Sequence, residues 1–118
     1  MNAEKRKLVF VCSRYSGDVE QNLKNAKEYC KQIISEGNIP IAPHLYFPQF
    51  LDDNLENERL LGITCGMILL NKCDSMIIFT NDGKLSEGME MECNCAKRIG
   101  IPIAIYNTLT KQSHNLQE

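Results

Sequence analysis

The sequence is short of several things, and each shortage narrows what the chain can be. It has no excess of basic residues: 13 Lys+Arg stand against 15 Asp+Glu, a formal net charge of -2. Proteins that grip a phosphate backbone carry a basic stripe, so a nucleic-acid polymer is not the expected partner. Long apolar runs are also missing. "LVFVC", "MILL" and "MIIF" fall far below the about 20 apolar residues that cross a bilayer, so no membrane is implied. The charged opening "MNAEKRK" lacks the apolar centre of a signal peptide. The 6 cysteines therefore read as thiols in a reducing cytoplasm rather than as a disulfide scaffold. Cys93-x-Cys95 has no matching Cys or His pair at zinc-site spacing, and on a helix its two side chains diverge by roughly 200°. No metal is expected, and no internal repeat or low-complexity segment is visible.

What is present is a regular alternation of strands and helices. The 118 residues suit one domain, 1–118, with a real apolar core. Residues 8–12, "LVFVC", form a continuous apolar run, the mark of a strand buried on both faces. Val19, Leu23, Ala26, Cys30 and Ile33 then fall on one helical face. Asp18 is its N-cap, Gln21 completes a capping-box-like pair, and Gly37 stops it. "IPIAPHLYF" reads as a second strand running into a Pro-punctuated loop. Helical spacing returns within 51–73 at Leu60, Ile63, Met67 and Leu70. "DSMIIFT" is a third strand, "NDGK" a turn, Ser86 the cap of a helix starting at Glu87 and ending at Gly100, and "IPIAIY" a fourth strand. The polar tail, about 107–118, is expected to fray or to dock on a neighbour. This order predicts an α/β three-layer sandwich around a four- or five-stranded parallel sheet, Rossmann-like.

Ligands of such sheets sit beyond the carboxyl ends of the strands. Those ends carry Ser13, Arg14, Tyr15, Ser16 and Gly17, then His44 and Tyr46, then the segment 81–88. Hydroxyls, a guanidinium and backbone N–H groups at 13–17 lead into a helix N-terminus and suit an anion. A Ser/Gly turn is equally what any strand-to-helix connection in this class needs. His44, the one histidine outside the tail, either contacts a base or caps its own loop. Cys12 ends a strand at the same edge, while Cys30 and Cys65 read as small core residues.

Three carboxylates crowd the stretch "SEGMEME": Glu87, Glu90 and Glu92. On a helix they point roughly 300° and then 200° apart, so at most two share one site. Acids in a first turn also complement the macrodipole, which is reason enough for Glu87 and Glu90. Glu92 lies one turn after Gly88, where a missing side chain lets a ligand approach. It is otherwise an exposed mid-helix acid.

"VFVCSRYSGDVEQNLKNAKEYC", "IPIAPHLYFPQFLDD", "CDSMIIF" and "LSEGMEMECNCAKRIGIPI" together resemble small phage or bacterial domains of the nucleoside 2-deoxyribosyltransferase-like superfamily, from Lys7 to about Tyr106. The resemblance implies cleavage or transfer at the bond between base and sugar by a glutamate nucleophile, without a cofactor. Its Ser-x-Gly-x-x-x-Glu pattern places the cap at Ser86, the close approach at Gly88 and the nucleophile at Glu92. Tyr15 would orient Glu92. Ser13, Arg14, Ser16, Gly17, His44, Tyr46 and Met89 would join Ser86 and Gly88 in binding. A serine at the cap resembles the members acting on deoxynucleoside 5-monophosphates, which makes a nucleotide the expected small-molecule partner. The order of the first loop departs from the relatives, with Arg14 one position early. Only four strands are evident where larger members have five, so a homo-oligomer with a cleft completed by a partner chain is expected. A non-catalytic nucleotide-binding or sequestering module on the same fold is the alternative.

Overall fold

The computed structural model describes residues 5–116; the start of the charged opening and the end of the polar tail lie outside the described residues. Among the described residues these elements follow one another: β1 (Leu8–Cys12), α1 (Val19–Ser35), β2 (Ile39–Ile41), two 3-10 turns (Pro43–Leu45 and Phe47–Gln49), α2 (Glu56–Asn71), β3 (Ser75–Thr80), α3 (Glu87–Ile99), β4 (Ile103–Asn107) and β5 (Gln112–Asn115). The sheet order is β2-β1-β3-β4-β5. The first four strands are parallel, and β5 runs antiparallel to β4.

The pleat of β1 explains the three layers. Val9 and Val11 join Ile33 of α1 and Phe79 on one face, where Tyr29 stacks on Phe79 at 4.1 Å between ring centroids. Phe10 and Cys12 point to the other face, into a cluster with Leu70 of α2, Met76 and Ile78 of β3, and Met89, Cys93 and Ala96 of α3. Successive strand residues face opposite sides, so an unbroken apolar run is needed where both sides are covered.

Several expectations need correction. The tail pairs with β4 instead of fraying, so the fifth strand is antiparallel and the sheet is not wholly parallel. Asn107 builds the connecting turn, its side-chain oxygen accepting from the backbone N–H of Leu109 (2.9 Å) and Thr110 (3.1 Å). The second strand spans three residues only, because Pro43 opens a 3-10 turn right after it; a second such turn, with Pro48 in its middle, follows. Asp18 caps α1 through the Gln21 N–H, but the Gln21 side chain donates forward to Asn25 and does not close a capping box. Leu60 lies outside the packed face of α2, 50% exposed, while Gly66 and Leu70 are buried. Cys30 and Cys65 are half-buried; Cys12, Cys73, Cys93 and Cys95 are the buried thiols, and all six are unpaired.

Candidate active site

The chain leaves β1 for an edge strand on one side and returns through β3 on the other, so the crevice opens beyond Cys12 and Thr80. In open parallel sheets this reversal of strand order is where ligands bind. A cleft of ≈ 450 Å³ lies there, within the range of small-molecule sites. It is walled by the loop after β1, the turns after β2, one face of α2 from Glu58 to Met67 and the first turns of α3.

Of the residues singled out from sequence, Ser13, Tyr15, Ser16, His44, Ser86, Gly88, Met89 and Glu92 line this cleft. Arg14, Gly17 and Tyr46 do not. Ser13 and Arg14 alternate inward and outward, so Ser13 is buried and Arg14 exposed on the side of Asp82. Gly17 takes φ +99, a left-handed turn that swings the chain into α1. Tyr46 is 56% exposed, its ring meeting Phe47 and Phe50 edge-on at 5.2 and 4.7 Å.

The three glutamates do not share one site, though Glu87 and Glu90, three residues apart, are the pair that helical geometry alone would group. Glu87 and Glu92 line the cleft, whereas Glu90 is exposed outside it. Ser86 caps α3, its Oγ accepting from the Met89 N–H at 3.3 Å. The amides of Glu87 and Gly88 have no intrahelical partner. A Cβ built on Gly88 would meet nothing within 4 Å. The fold itself therefore has no steric need for glycine there, and the space above it is open cleft.

Two buried side-chain oxygens lack any hydrogen-bond partner among the described residues: Ser13 Oγ and Glu92 Oε1. Both belong to cleft residues. Burial pushes the Glu92 carboxyl from 4.5 up to about 7, and the Cys12 thiol beside it works in the opposite direction. Burial also lowers His44, against a hydrogen bond to the Ser13 backbone and the charge of Asp53. Burial and Asp53 raise Tyr15, whose hydroxyl keeps its proton. The Tyr15 and His44 rings lie 5.0 Å apart, tilted by 31°, so a tyrosine and a neutral imidazole form one wall.

Sequence reasoning missed Asp53, Glu58 and Arg59, which also line the cleft. Their signal is faint because they lie where a loop enters α2, and that helix is apolar on nearly every side. Arg59 is the one cationic side chain among the lining residues. Among the described residues no group of three His, Cys, Asp or Glu side chains is placed to hold a metal ion. Nor is any helix among them long and apolar enough to cross a membrane.

Solved structures share this architecture. A 2-deoxyribosyltransferase from Bacillus psychrosaccharolyticus superposes with a TM-score of 0.71 at 12% identity, over 85% of this chain and 72% of that one. A 2-desoxiribosyltransferase from Leishmania mexicana superposes at 0.65 and 11% identity, over 86% of this chain; the chain spans 65% of the Leishmania protein's length. The chain thus has a nucleoside 2-deoxyribosyltransferase-like fold, which the sequence resemblance implied. No curated protein matches it by sequence. A family model described as a domain of unknown function matches residues 7–106, and the chain belongs to that family, DUF7768.

Proposed function

We propose that this domain binds a (deoxy)nucleoside 5′-monophosphate and cleaves or transfers at its N-glycosidic bond, with Glu92 as nucleophile. The observation that carries the reading is the Glu92 carboxylate itself: one oxygen dehydrated and unpartnered, in a cleft at the strand ends. A buried acid without a partner is unfavourable for folding and is the expected signature of a reacting group.

In the proposed reaction a Glu92 oxygen attacks the anomeric carbon through an oxocarbenium-like transition state. The C–N bond breaks, its electron pair leaves with the base, and the base takes up a proton. Water or a second base then opens the glycosyl ester and restores the carboxylate. Tyr15, protonated at neutral pH, lines the same cleft and turns its O–H toward Glu92 in the substrate complex. His44 and Tyr15 offer a surface for the base. Ser86 spends its oxygen on the Met89 amide but keeps its O–H for a phosphate oxygen, together with the open amides at the start of α3. Arg59 takes the place expected of Arg14 as the nearby cation.

The test is release of free base, followed by chromatography, from nucleosides and their 5′-monophosphates by wild type, Glu92→Gln and Glu90→Gln. Wild type and Glu90→Gln should release base and Glu92→Gln should not, while nucleotide affinity stays within about tenfold, near 1.4 kcal/mol. Because the nucleophile must be ionised, activity should rise as pH rises through about 7. Equal release by wild type and Glu92→Gln refutes the assignment. A thermal shift with nucleotide but no release by any protein points to a binding module instead.

A further inference from the structure

Cys12 closes β1 and is wholly buried, its Sγ 3.7 Å from the carbonyl oxygen of Met89. Met89 stands one turn before Glu92 on α3. A helical side chain leans over the turn N-terminal to its own Cα, so the Glu92 carboxylate and the Cys12 thiol meet above the same turn. The thiol favours the charged form of the carboxylate, yet its hydrogen bond among the described residues goes to the Met89 carbonyl, and Glu92 Oε1 is left without a partner. One S–H therefore faces two acceptors.

We propose that Cys12 is a positioning residue for Glu92, beside Tyr15: its S–H donates to the ionised carboxylate and falls back on the Met89 carbonyl when Glu92 is protonated or esterified. The inference rests on reading Glu92 as the reacting group. A thiol is a weak donor. It steers the carboxylate without binding it as firmly as a hydroxyl would, so the oxygen's basicity toward an anomeric carbon is kept. The donor also persists, since burial, the Glu92 charge and Cys93 all raise the Cys12 thiol.

The other titratable and charged groups around Glu92 come from every wall: Tyr15 after β1, His44 after β2, Asp53, Glu58 and Arg59 at the entry to α2, and Glu87 and Cys93 on α3. None of them shifts Glu92 resolvably; burial and Cys12 are the two influences on it. Burial is the larger of the two, and against it the thiol is the one side chain whose removal its titration should register.

The experiment follows the side-chain carboxyl resonance of Glu92 by NMR in protein carrying carbon-13 glutamate, identified by its loss in Glu92→Gln. The titration midpoint should rise by about half a pH unit or more in Cys12→Ala, since a donor to the charged form is lost. In Cys12→Ser, a stronger donor, it should return to the wild-type value or fall below it. In wild type the infrared S–H stretch should shift as Glu92 ionises, and that pH dependence should vanish in Glu92→Gln. The infrared arm needs no change at Cys12 and holds even if both Cys12 variants fail to fold. A midpoint unchanged in folded Cys12→Ala, or an S–H band indifferent to pH, overturns the proposal. Neither readout requires turnover, so a failure here is distinct from a failure of Glu92 to release base.

Discussion

Replacing Glu92 by Gln should change how stability depends on pH, quite apart from any catalysis. In the folded chain the carboxyl titrates at about 7, against 4.5 when free. Below 4.5 both states hold the proton and the residue adds no pH dependence. Between 4.5 and about 7 the folded state binds a proton that the unfolded chain has released, so stability falls as pH rises, and above 7 the loss is complete. At about 1.36 kcal/mol per pH unit, that interval corresponds to roughly 3 kcal/mol. Gln is neutral throughout and lacks this slope. Urea denaturation at pH 5 and pH 8 should find the two proteins similar at pH 5 and Glu92→Gln more stable by roughly 3 kcal/mol at pH 8. His44 acts with the opposite sign. Its folded value lies below 6.5, so it destabilises as pH falls beneath 6.5, but it is common to both proteins and cancels. Parallel stability curves for wild type and Glu92→Gln would refute the claim that an unpaired charge is buried at position 92.

The glycine and the cation of the cleft, and the surface beside it, give further expectations. Gly88→Ala should leave the fold intact or raise stability by about 0.5–1 kcal/mol, since a Cβ there meets nothing, while nucleotide affinity measured by calorimetry should fall; unchanged affinity would place the ligand elsewhere. Arg59→Ala should weaken binding of a 5′-monophosphate about tenfold and leave the unphosphorylated nucleoside unaffected, which separates a phosphate contact from a general loss. Phe50, Leu55, Leu60 and Leu61 are each about half exposed or more, at and around the entry to α2. Light scattering at micromolar concentration should return a dimer or larger assembly, and Leu60→Glu combined with Leu61→Glu should reduce its mass; a wild-type monomer ends that expectation.

Much of the fold was legible because its code is local. A double-faced strand must be apolar without interruption, and "LVFVC" and "MIIF" are. Asp18 and Ser86 mark helix starts through hydrogen bonds spanning only three residues, and Gly100, in the left-handed conformation, marks an end. β5 was not legible for the converse reason. "QSHN" is exposed along its whole length, so it carries no alternation, and its pairing depends on a turn written mainly in the side chain of Asn107. The register of α2 was hidden in another way. Leu60, Leu61, Ile63, Met67, Ile68 and Leu70 surround the helix, and only tertiary packing selects the side that is buried.

The site divides along the same line. Ser13 follows directly on a strand, Ser86 and Gly88 start a helix and Glu92 lies one turn further along it, so their directions follow from period and capping, and these line the cleft. Arg14 and Tyr46 sit in loops, where one residue decides between inside and outside. The cation position shows what that difference means chemically. A guanidinium at Arg14 faces Asp82 and the solvent, whereas Arg59 stands among Asp53, Glu58, Glu87 and Glu92, so one positive group serves a cleft rich in carboxylates. Such a cleft does not draw a dianion in by its overall field. A bound phosphate would have to be held at short range by the amides at the start of α3, the Ser86 hydroxyl and Arg59, contacts that depend on direction and resist salt more than long-range attraction does. Monophosphate affinity should therefore depend only weakly on ionic strength, unlike that of a protein that steers its anion by net charge.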